Sequence, residues 1–305
     1  MDSSTNEISH DFPPYFRVFK DGRVERLGRH AVPELAPPGL DPKTHVQTRD
    51  VVVSSESGVS ARLFLPKISH PDHKLPLVVH YHGGAFCVGS PFHRAFHNFL
   101  VSLAAAANAF VISVDYRLAP EHPLPTGHQD SWAALQWIAT HSKGEGPDPW
   151  LKEHADFGRV FLAGESAGAN IAHYVAVQAG ATELVGPNIV GSLILHPYFG
   201  GKELDGLYSF MYPTGAGFSD PMLYPKVDPN LSRMAGAKVL VCVADKDWLR
   251  DRGVGYCEAV GKSGWGGTVS FYETEGEDHG FFVLNPTSEK VEPLLKVMAD
   301  FINLD

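Results

Sequence analysis

Residues 159–180 read RVFLAGESAGANIAHYVAVQAG, a strand-like segment, a tight turn and a helical segment in succession. The turn, at 164–168, has the pattern G-x-S-x-G. Its two glycines give the backbone room to fold back sharply, so we expect Ser166 to adopt a strained conformation. The turn would place the hydroxyl at a helix N-terminus, where partial positive charge favours a developing anion. In this context the pattern predicts that Ser166 is a nucleophile.

The composition excludes two classes of partner. The chain has 305 residues, of which 44% are hydrophobic and 20% charged, enough to bury a large core in one domain. Its formal net charge is −10, and no cluster of lysine or arginine stands out. Because nucleic acids and anionic membranes attract basic patches, we expect neither as a partner.

The sequence also favours a cytoplasmic location. The N-terminal stretch MDSSTNEISHDF is polar and lacks the apolar core of a secretory signal. The longest apolar run, at about 103–114, is interrupted by Asn108 and Ser113 and is too short to span a bilayer. The cysteines are odd in number and form no C-x-x-C pair, so we expect reduced thiols at Cys87, Cys242 and Cys257.

Strand-like and helical segments alternate along most of the chain. Residues 1 to about 15 look unstructured, and residues 16–27 have the pattern of a hairpin around Asp21 and Gly22. We expect eight further strands, at about 50–54, 60–66, 75–82, 109–116, 159–163, 189–196, 237–244 and 268–273. Helices are expected at about 92–107, 130–141, 254–263 and 289–302, and after Ser166. The alternation predicts an α/β fold, with a mostly parallel eight-stranded sheet that carries helices on both faces.

A nucleophilic serine needs a base, which should lie downstream in the order Ser, Asp or Glu, His. The downstream histidines are His173, His196 and His279. His173 lies within the helix after Ser166 and cannot reach back, and His196 ends a strand just before a proline. His279 lies in a glycine-flanked loop after the last strand, at the strand ends where such sheets place their sites. We therefore expect His279 to be the base.

The acid should follow the preceding strand, which ends in ADKDWLRD at 244–251. An aspartate there would hold the imidazole tautomer and stabilise the imidazolium. Chemistry alone does not choose among Asp245, Asp247 and Asp251, since any two of them could be solvated loop charges or helix caps.

The oxyanion hole should come from a loop after an earlier strand. The strand at 77–82 runs straight into Gly83 and Gly84. Adjacent glycines let successive N–H groups converge on one point. The third donor would be the N–H of Ala167, the residue after the nucleophile.

Metal or phosphate chemistry has little support. His93 and His97 have the i, i+4 spacing of zinc ligands, but no third ligand is apparent nearby. The G-x-x-x-x-G-K phosphate loop does not occur in the sequence. We expect neither a metal nor a cofactor.

Together these stretches resemble the plant carboxylesterases of the hormone-sensitive-lipase group of α/β hydrolases, over nearly the whole chain. The matching motifs are FRVFKDGRVERL at 16–27, YHGGAF at 81–86, VDYRLAPEHPLP at 114–125, GESAGANIAH at 164–173, DKDWLRD at 245–251 and EDHGF at 277–281. In that family the acid is the first aspartate of D-x-L-x-D, which is Asp247 here. The resemblance implies this triad and this oxyanion hole: Ser166, Asp247 and His279, with the N–H groups of Gly83, Gly84 and Ala167.

Two departures from the family pattern concern the hole and the lid. The oxyanion motif usually reads H-G-G-G, whereas Ala85 stands at its fourth position here. HGGAFC also occurs in relatives that resemble 2-hydroxyisoflavanone dehydratases and alkaloid cyclases. The segment at 200–225 looks shorter than usual. We expect a single domain over residues 1–305, with 1–45 as an N-terminal cap and 200–225 as a shortened lid.

The resemblance implies a serine carboxylesterase that hydrolyses small esters through an acyl-enzyme on Ser166. Two alternatives stay open: a dehydratase, lyase or cyclase that uses the same groups, and a small-molecule receptor with little hydrolysis. The gibberellin receptor resembles this chain but lacks the catalytic histidine, so the presence of His279 argues against a pure receptor. We expect a small-molecule ester as partner and a monomer or weak homodimer. Candidate pocket walls, for which core packing is an equal explanation, are Phe86, Val88, Phe92, Tyr198, Phe199 and Phe281.

Overall fold

A computed structural model of the protein describes residues 7–69, 73–215 and 217–304. The strands are β1 (Ile8–Phe12), β2 (Phe16–Phe19), β3 (Val24–Arg26), β4 (Gln47–Val52), β5 (Ser60–Leu65), β6 (Leu75–Tyr81), β7 (Phe110–Asp115), β8 (Ala155–Glu165), β9 (Ile189–Leu195), β10 (Lys238–Ala244) and β11 (Thr268–Thr274). The helices are α1 (Arg94–Ala107), α2 (Thr126–Ser142), α3 (Pro149–His154), α4 (Ala167–Thr182), α5 (Gly206–Met211), α6 (Arg250–Lys262), α7 (Phe281–Leu284) and α8 (Val291–Asn303).

Eight strands form one sheet in the order β11-β10-β9-β8-β6-β7-β5-β4. The neighbours from β7 to β11 run parallel, whereas β5 is antiparallel to both β7 and β4. The prediction of a mostly parallel eight-stranded sheet is confirmed. Because β6, β8, β9, β10 and β11 all run in one direction, the loops after them meet at one edge of the sheet.

Helices cover both faces of this sheet, as predicted. On one face α1 and α8 pack against each other and against the strands, with a buried core that includes Leu100, Leu103 and Met298. On the other face α2, α4 and α6 bury residues such as Ile138 and Val175 in a second core. Within the described ranges, no helix is both long and apolar enough to cross a membrane.

The N-terminal part is more ordered than the sequence indicates. The predicted hairpin at 16–27 forms as β2 and β3, which pair antiparallel. However, β1 adds a third strand to it, so the prediction of an unstructured start is wrong for residues 8–12. The strand has the sequence ISHDF and is mostly exposed. It lacks the alternating apolar pattern by which a strand is predicted, because backbone pairing with β2 rather than burial stabilises it. Residues 1–6 lie outside the described ranges.

The segment predicted to be a shortened lid, at 200–225, contains one short helix, α5. The hydroxyl of Tyr208 on this helix donates to Oδ2 of Asp220 over 2.8 Å. The side-chain amide of Asn170, on α4, donates to the carbonyl oxygens of Tyr198 and Met222 over 3.1 and 2.6 Å. The first bond closes the segment on itself, and the bond from Asn170 to Met222 ties it to the helix that follows Ser166.

Candidate active site

Ser166 lies at the turn between β8 and α4, as predicted. Its backbone dihedrals are φ +56° and ψ −119°, a conformation that residues with a side chain rarely adopt. A Cβ atom at Gly164 would lie 2.2 Å from the carbonyl oxygen of Gly168, and one at Gly168 would lie 1.9 Å from that of Tyr81. Only glycine fits at these two positions, so they permit the sharp turn that presents Ser166.

His279 and Asp247 come together from the loops after β11 and β10. Nδ1 of His279 lies 2.8 Å from Oδ2 of Asp247, and Oδ1 of Asp247 accepts from the N–H of Leu249 over 2.8 Å. The Asp247 side chain is fully buried, whereas that of His279 is 25% exposed. Because an ionised carboxylate only accepts hydrogen bonds, this contact fixes a proton on Nδ1 and leaves Nε2 of His279 available to a substrate or nucleophile.

The two other aspartates after β10 have different surroundings. Oδ1 of Asp245 accepts from the N–H of Gly276 over 2.7 Å and so closes the loop against β11. Asp251 extends into solvent beside Arg250, with its side chain 93% exposed. Of the three candidates, only Asp247 contacts His279.

The surroundings of Asp247 favour its charged form. Burial alone would raise the pKa of its carboxyl group, but hydrogen bonds from His196 and His279 outweigh burial and hold the pKa well below its usual range. The carboxylate is therefore ionised at neutral pH. A charged acceptor in this position can stabilise a cationic imidazole on His279.

A cavity of about 420 Å³ is lined by both Ser166 and His279. Its walls come from residues 15–34, 83–98 and 279–286, and none of the described residues at 200–225 lines it. Among the described side chains, no hydrogen bond joins Ser166 to His279. Such bonds are often long without substrate and tighten in the complex. The N-terminal part therefore contributes to the wall of the candidate site.

Of the six apolar residues predicted to line the pocket, Val88 lines this cavity. The other five do not, and they pack elsewhere. The buried rings of Phe86 and Tyr198 meet edge to face at 5.6 Å, and Phe199 stacks on a tyrosine of α6 at 4.8 Å. Phe281 is 2% exposed in the core, and Phe92 lies beneath the guanidinium of an arginine on β5. Aromatic residues next to these motifs serve as packing around the site.

The glycine loop after β6 makes a tight turn. Gly84 has φ +117°, and a Cβ atom there would lie 2.1 Å from the carbonyl oxygen of Val88. Ala85 and Phe86 also have positive φ angles, of +52° and +63°. The N–H groups of Cys87 and Val88 both return to the carbonyl oxygen of Gly84. In the described ranges the N–H of Gly84 has no protein acceptor, so it is available to a ligand.

Two of the predicted oxyanion donors are available and one is occupied. Ala167 is the first residue of α4, where N–H groups lack an intrahelical acceptor. The N–H of Gly83 instead donates to Oε1 of Glu165 over 2.5 Å. Oε2 of Glu165 contacts Nε2 of His80 at 2.7 Å, and Nδ1 of that histidine contacts the hydroxyl of Ser113 at 2.9 Å. Glu165 stands inside the G-x-S-x-G motif, but its position there does not by itself indicate this contact.

Residues outside the predicted site also hold the glycine loop in place. The hydroxyl of Tyr116 donates to the carbonyl oxygen of His82 over 2.6 Å, and the two rings stack at 4.3 Å. Arg26, on β3, donates through Nε to the carbonyl oxygen of Cys87 over 2.9 Å and forms two further bonds to Glu121. The motif VDYRLAPEHPLP, together with the N-terminal hairpin, therefore holds the glycine loop in place.

Among the described residues, the two histidines with zinc-like spacing belong to no group of three potential metal ligands. His93 precedes α1 and lines the cavity. Nδ1 of His97 lies 3.2 Å from Nη1 of Arg62 on β5. Burial and this guanidinium lower the pKa of His97 to about 4. The guanidinium in contact with His97 would repel a metal cation bound to this histidine.

Comparison with known proteins identifies relatives of the chain in sequence and in fold. The profile of the alpha/beta hydrolase fold family matches residues 78–206 and 199–283. The chain is 42% identical over 323 residues to a 2-hydroxyisoflavanone dehydratase of Glycyrrhiza echinata, covering 98% of each chain. It is 41% identical to the probable carboxylesterase 1 of Arabidopsis thaliana, covering 99% of this chain and 98% of that one. A hyperthermophilic esterase from the archaeon Pyrobaculum calidifontis has a similar structure, with a TM-score of 0.69, 27% identity and coverage of 84% and 85%.

Proposed function

This chain belongs to the α/β-hydrolase family and is a carboxylic-ester hydrolase, and we propose that Ser166 is its nucleophile. The observation that carries the proposal is that Ser166 and His279 line one cavity while Asp247 binds Nδ1 of His279 over 2.8 Å. A relative named as a probable carboxylesterase and a solved esterase of the same fold support this reading.

In the proposed reaction Nε2 of His279 removes the proton of Ser166 as the hydroxyl oxygen attacks the ester carbonyl carbon. The carbonyl π electrons move to oxygen and form a tetrahedral oxyanion. When this intermediate collapses, the bond to the alcohol oxygen breaks and the alcohol takes the proton from His279. Water then attacks the acyl-enzyme with His279 again as base, which releases the acid and restores Ser166. Asp247 orients His279 and stabilises its cationic form in both halves.

We propose that the N–H groups of Gly84 and Ala167 bind the oxyanion. Each such donor stabilises a transition state by about 3 kcal/mol, because charge develops on the oxygen as the serine attacks. Gly83 shapes the loop, since its N–H donates to Glu165 in the structure. We therefore propose that Gly83 positions the loop and is not the third donor of the oxyanion hole.

The cavity supports small esters as substrates. Its volume of about 420 Å³ suits a small molecule, and apolar wall residues include Val88, Phe96, Val283 and Leu284. These side chains favour a short acyl group or an aromatic alcohol. The reaction needs only water besides the ester, so we propose that it uses no cofactor.

Two rival functions are tested by the same assay. A dehydratase is favoured by the name of the relative that is 42% identical. In that case His279 would remove a proton from carbon and the hole would bind an enolate, so no acyl-enzyme would form. A receptor would bind a small molecule in the cavity and hydrolyse esters slowly or not at all.

The test is turnover of p-nitrophenyl acetate and butyrate by the wild type and by Ser166→Ala. The esterase hypothesis predicts that Ser166→Ala loses up to ~10⁶-fold in turnover relative to wild type, down to the background rate. A fluorophosphonate should label the wild type at Ser166, as located by mass spectrometry, and should not label the variant. A wild type without turnover or labelling, or a variant that keeps its activity, would overturn the assignment.

We also propose that the protein acts in the cytoplasm as a monomer or weak homodimer. Its cysteines support the location, because Cys87, Cys242 and Cys257 carry no disulfide in the described ranges and two of them are buried. A fluorescent fusion and analytical ultracentrifugation test the two parts of this proposal. Localisation in an organelle, or a stable larger oligomer, would contradict it.

A further inference from the structure

A second histidine contacts the carboxylate of Asp247. His196 follows β9 directly, with φ +45°, and its N–H donates to the carbonyl oxygen of Cys242 over 2.7 Å. Its side chain is fully buried, and Nδ1 lies 3.1 Å from Oδ2 of Asp247. Nδ1 of His279 lies 2.8 Å from the same oxygen. Two imidazoles therefore share one carboxylate oxygen, one from the core and one from the cavity.

The surroundings of His196 determine which of its nitrogens carries the proton. Nε2 is buried without a hydrogen-bond partner among the described residues, and the centroid of its ring lies 5.9 Å from that of Phe281 and 5.2 Å from that of Phe282. The N–H of Gly280 lies 3.2 Å from Nδ1 and could donate to it only if Nδ1 carried no proton. That tautomer would bring two acceptors, Nδ1 and Oδ2 of Asp247, into contact and would bury an Nε2–H without an acceptor. The proton therefore belongs on Nδ1.

We propose that His196 is a positioning residue for the ester hydrolysis proposed above, a neutral donor that holds the carboxylate of Asp247 in place for His279. With this bond, Oδ2 of Asp247 accepts from both histidines and Oδ1 accepts from the N–H of Leu249. The carboxylate then cannot rotate without breaking at least one of these hydrogen bonds. His196 therefore fixes the orientation of His279 through Asp247, from the core side of the carboxylate.

The neutral state of His196 matters to this role. The titratable groups that face it are Asp247, His279 and Glu165, and burial lowers its pKa despite the two carboxylates. A neutral donor leaves the full negative charge on Asp247, which is needed to stabilise the cationic His279. A permanently cationic neighbour would neutralise that charge.

The bond has a consequence for proton affinity. A donor to Oδ2 stabilises the charged form of Asp247 and so lowers the affinity of the Asp247–His279 pair for a proton. Loss of the donor should raise that affinity, whichever of the two groups carries the proton. The acid limb of the pH profile of kcat/KM, which reports this protonation, should then move to higher pH. Simple loss of packing would lower activity without moving the limb.

Two variants of similar shape test the proposal, His196→Asn and His196→Leu. The side-chain nitrogen of asparagine occupies the place of Nδ1, and asparagine tolerates the left-handed backbone found at this residue. We expect His196→Asn to keep kcat/KM for p-nitrophenyl acetate within about three-fold of wild type, with an unmoved acid limb. We expect His196→Leu to lose about 10–100-fold in kcat/KM and to shift the limb upward, because a hydrogen bond to a charged group is lost.

If His196→Leu does not fold, His196→Gln replaces it, because its amide nitrogen lies near the position of Nε2 and cannot donate to Asp247 in the same way. Thermal unfolding of each variant separates stability from catalysis. An acid limb that stays in place in the donor-less variant that folds, or moves to lower pH, would overturn the proposal and favour the tautomer that accepts from Gly280. If the wild type itself has no esterase activity, the proposed function fails first, and the two failures are distinct.

Discussion

The carboxylate of Glu165 accepts a hydrogen bond from the backbone N–H of Gly83 over 2.5 Å. Glu165 directly precedes the proposed nucleophile, and Gly83 opens the loop proposed to bind the oxyanion. One contact therefore fixes the position of the loop relative to Ser166. The contact is buried together with His80, which binds the second oxygen of Glu165, so water does not compete for it.

Replacement of Glu165 by alanine should lower kcat by about 10–100-fold with little change in KM, because the loop binds the reacting oxygen most strongly in the transition state. Glu165→Gln is the matched control. Its amide oxygen can accept from Gly83, and its NH₂ group can donate to His80 once that histidine changes tautomer, so we expect kcat within about three-fold of wild type. Steady-state kinetics with p-nitrophenyl butyrate measure both. Equal losses in the two variants would show that Glu165 does not act through Gly83.

Asp247→Asn should lower kcat by roughly 10⁴-fold, because an asparagine at this position would favour the wrong tautomer of His279. Asp245→Asn is its control two residues away. Its side-chain oxygen can still accept from the N–H of Gly276, so we expect activity within about three-fold of wild type. The comparison uses kcat at pH 8, with thermal unfolding to confirm that both variants fold. If Asp245→Asn proved the more damaging change, the assignment of the acid would be wrong.

Neighbouring residues of the glycine loop should respond in opposite ways to the exchange of alanine and glycine. Gly84→Ala should lower kcat by about 100-fold or more, because its Cβ would lie 2.1 Å from the carbonyl oxygen of Val88 and would displace the N–H donor. Ala85→Gly should keep kcat within about three-fold, because Ala85 already has φ +52°, which glycine adopts more easily. A Gly84→Ala variant with normal kcat would exclude Gly84 from the hole.

Because several histidines are buried in their neutral form, we expect the free energy of unfolding to decrease on mild acidification. Burial lowers the pKa of His82 and His173 to about 3 and that of His128 to about 4. The unfolded chain gains a proton on each as the pH falls below about 6.5, whereas the folded chain stays neutral there, so the free energy of unfolding decreases. Each histidine contributes a slope of roughly 1.4 kcal/mol per pH unit below that point.

Urea unfolding at pH 7, 6 and 5 measures this slope. His173→Phe should reduce the slope by roughly 1.4 kcal/mol per pH unit relative to wild type, because one such group is removed. A free energy of unfolding that stays constant between pH 7 and 5 would show that these histidines do not remain neutral in the folded protein.

The fold and the catalytic order could be predicted because they depend on local patterns. The turn at Ser166 requires glycine on both sides for steric reasons, and alternation of strands and helices determines a parallel sheet. The choice among Asp245, Asp247 and Asp251 could not be made from the residues alone, because loop conformation decides which carboxylate turns inward. The resemblance to a family supplied Asp247, and the structure gives a geometric reason for it.

Side-chain partners across the sheet were beyond the sequence patterns. Glu165 and His80 lie on adjacent strands, and only the register of β6 against β8 brings them together. The position of His196 at the end of a strand does not predict a catalytic contact, yet that position carries it to Asp247 on the neighbouring loop. The aromatic residues near the motifs could equally be core or pocket, since both environments favour the same side chains.

Part of the cavity wall is encoded apart from the reacting groups. The N-terminal residues at 15–34 and the stretch at 283–286 form walls without contributing to the proposed chemistry. Substrate preference could therefore be redesigned by exchanging these two stretches as cassettes between relatives, or by a mutant library at Tyr15, His30, Pro33, Val283 and Leu284. Arg26 should stay fixed in any such library, because the hairpin that supplies the wall also holds the glycine loop through this side chain.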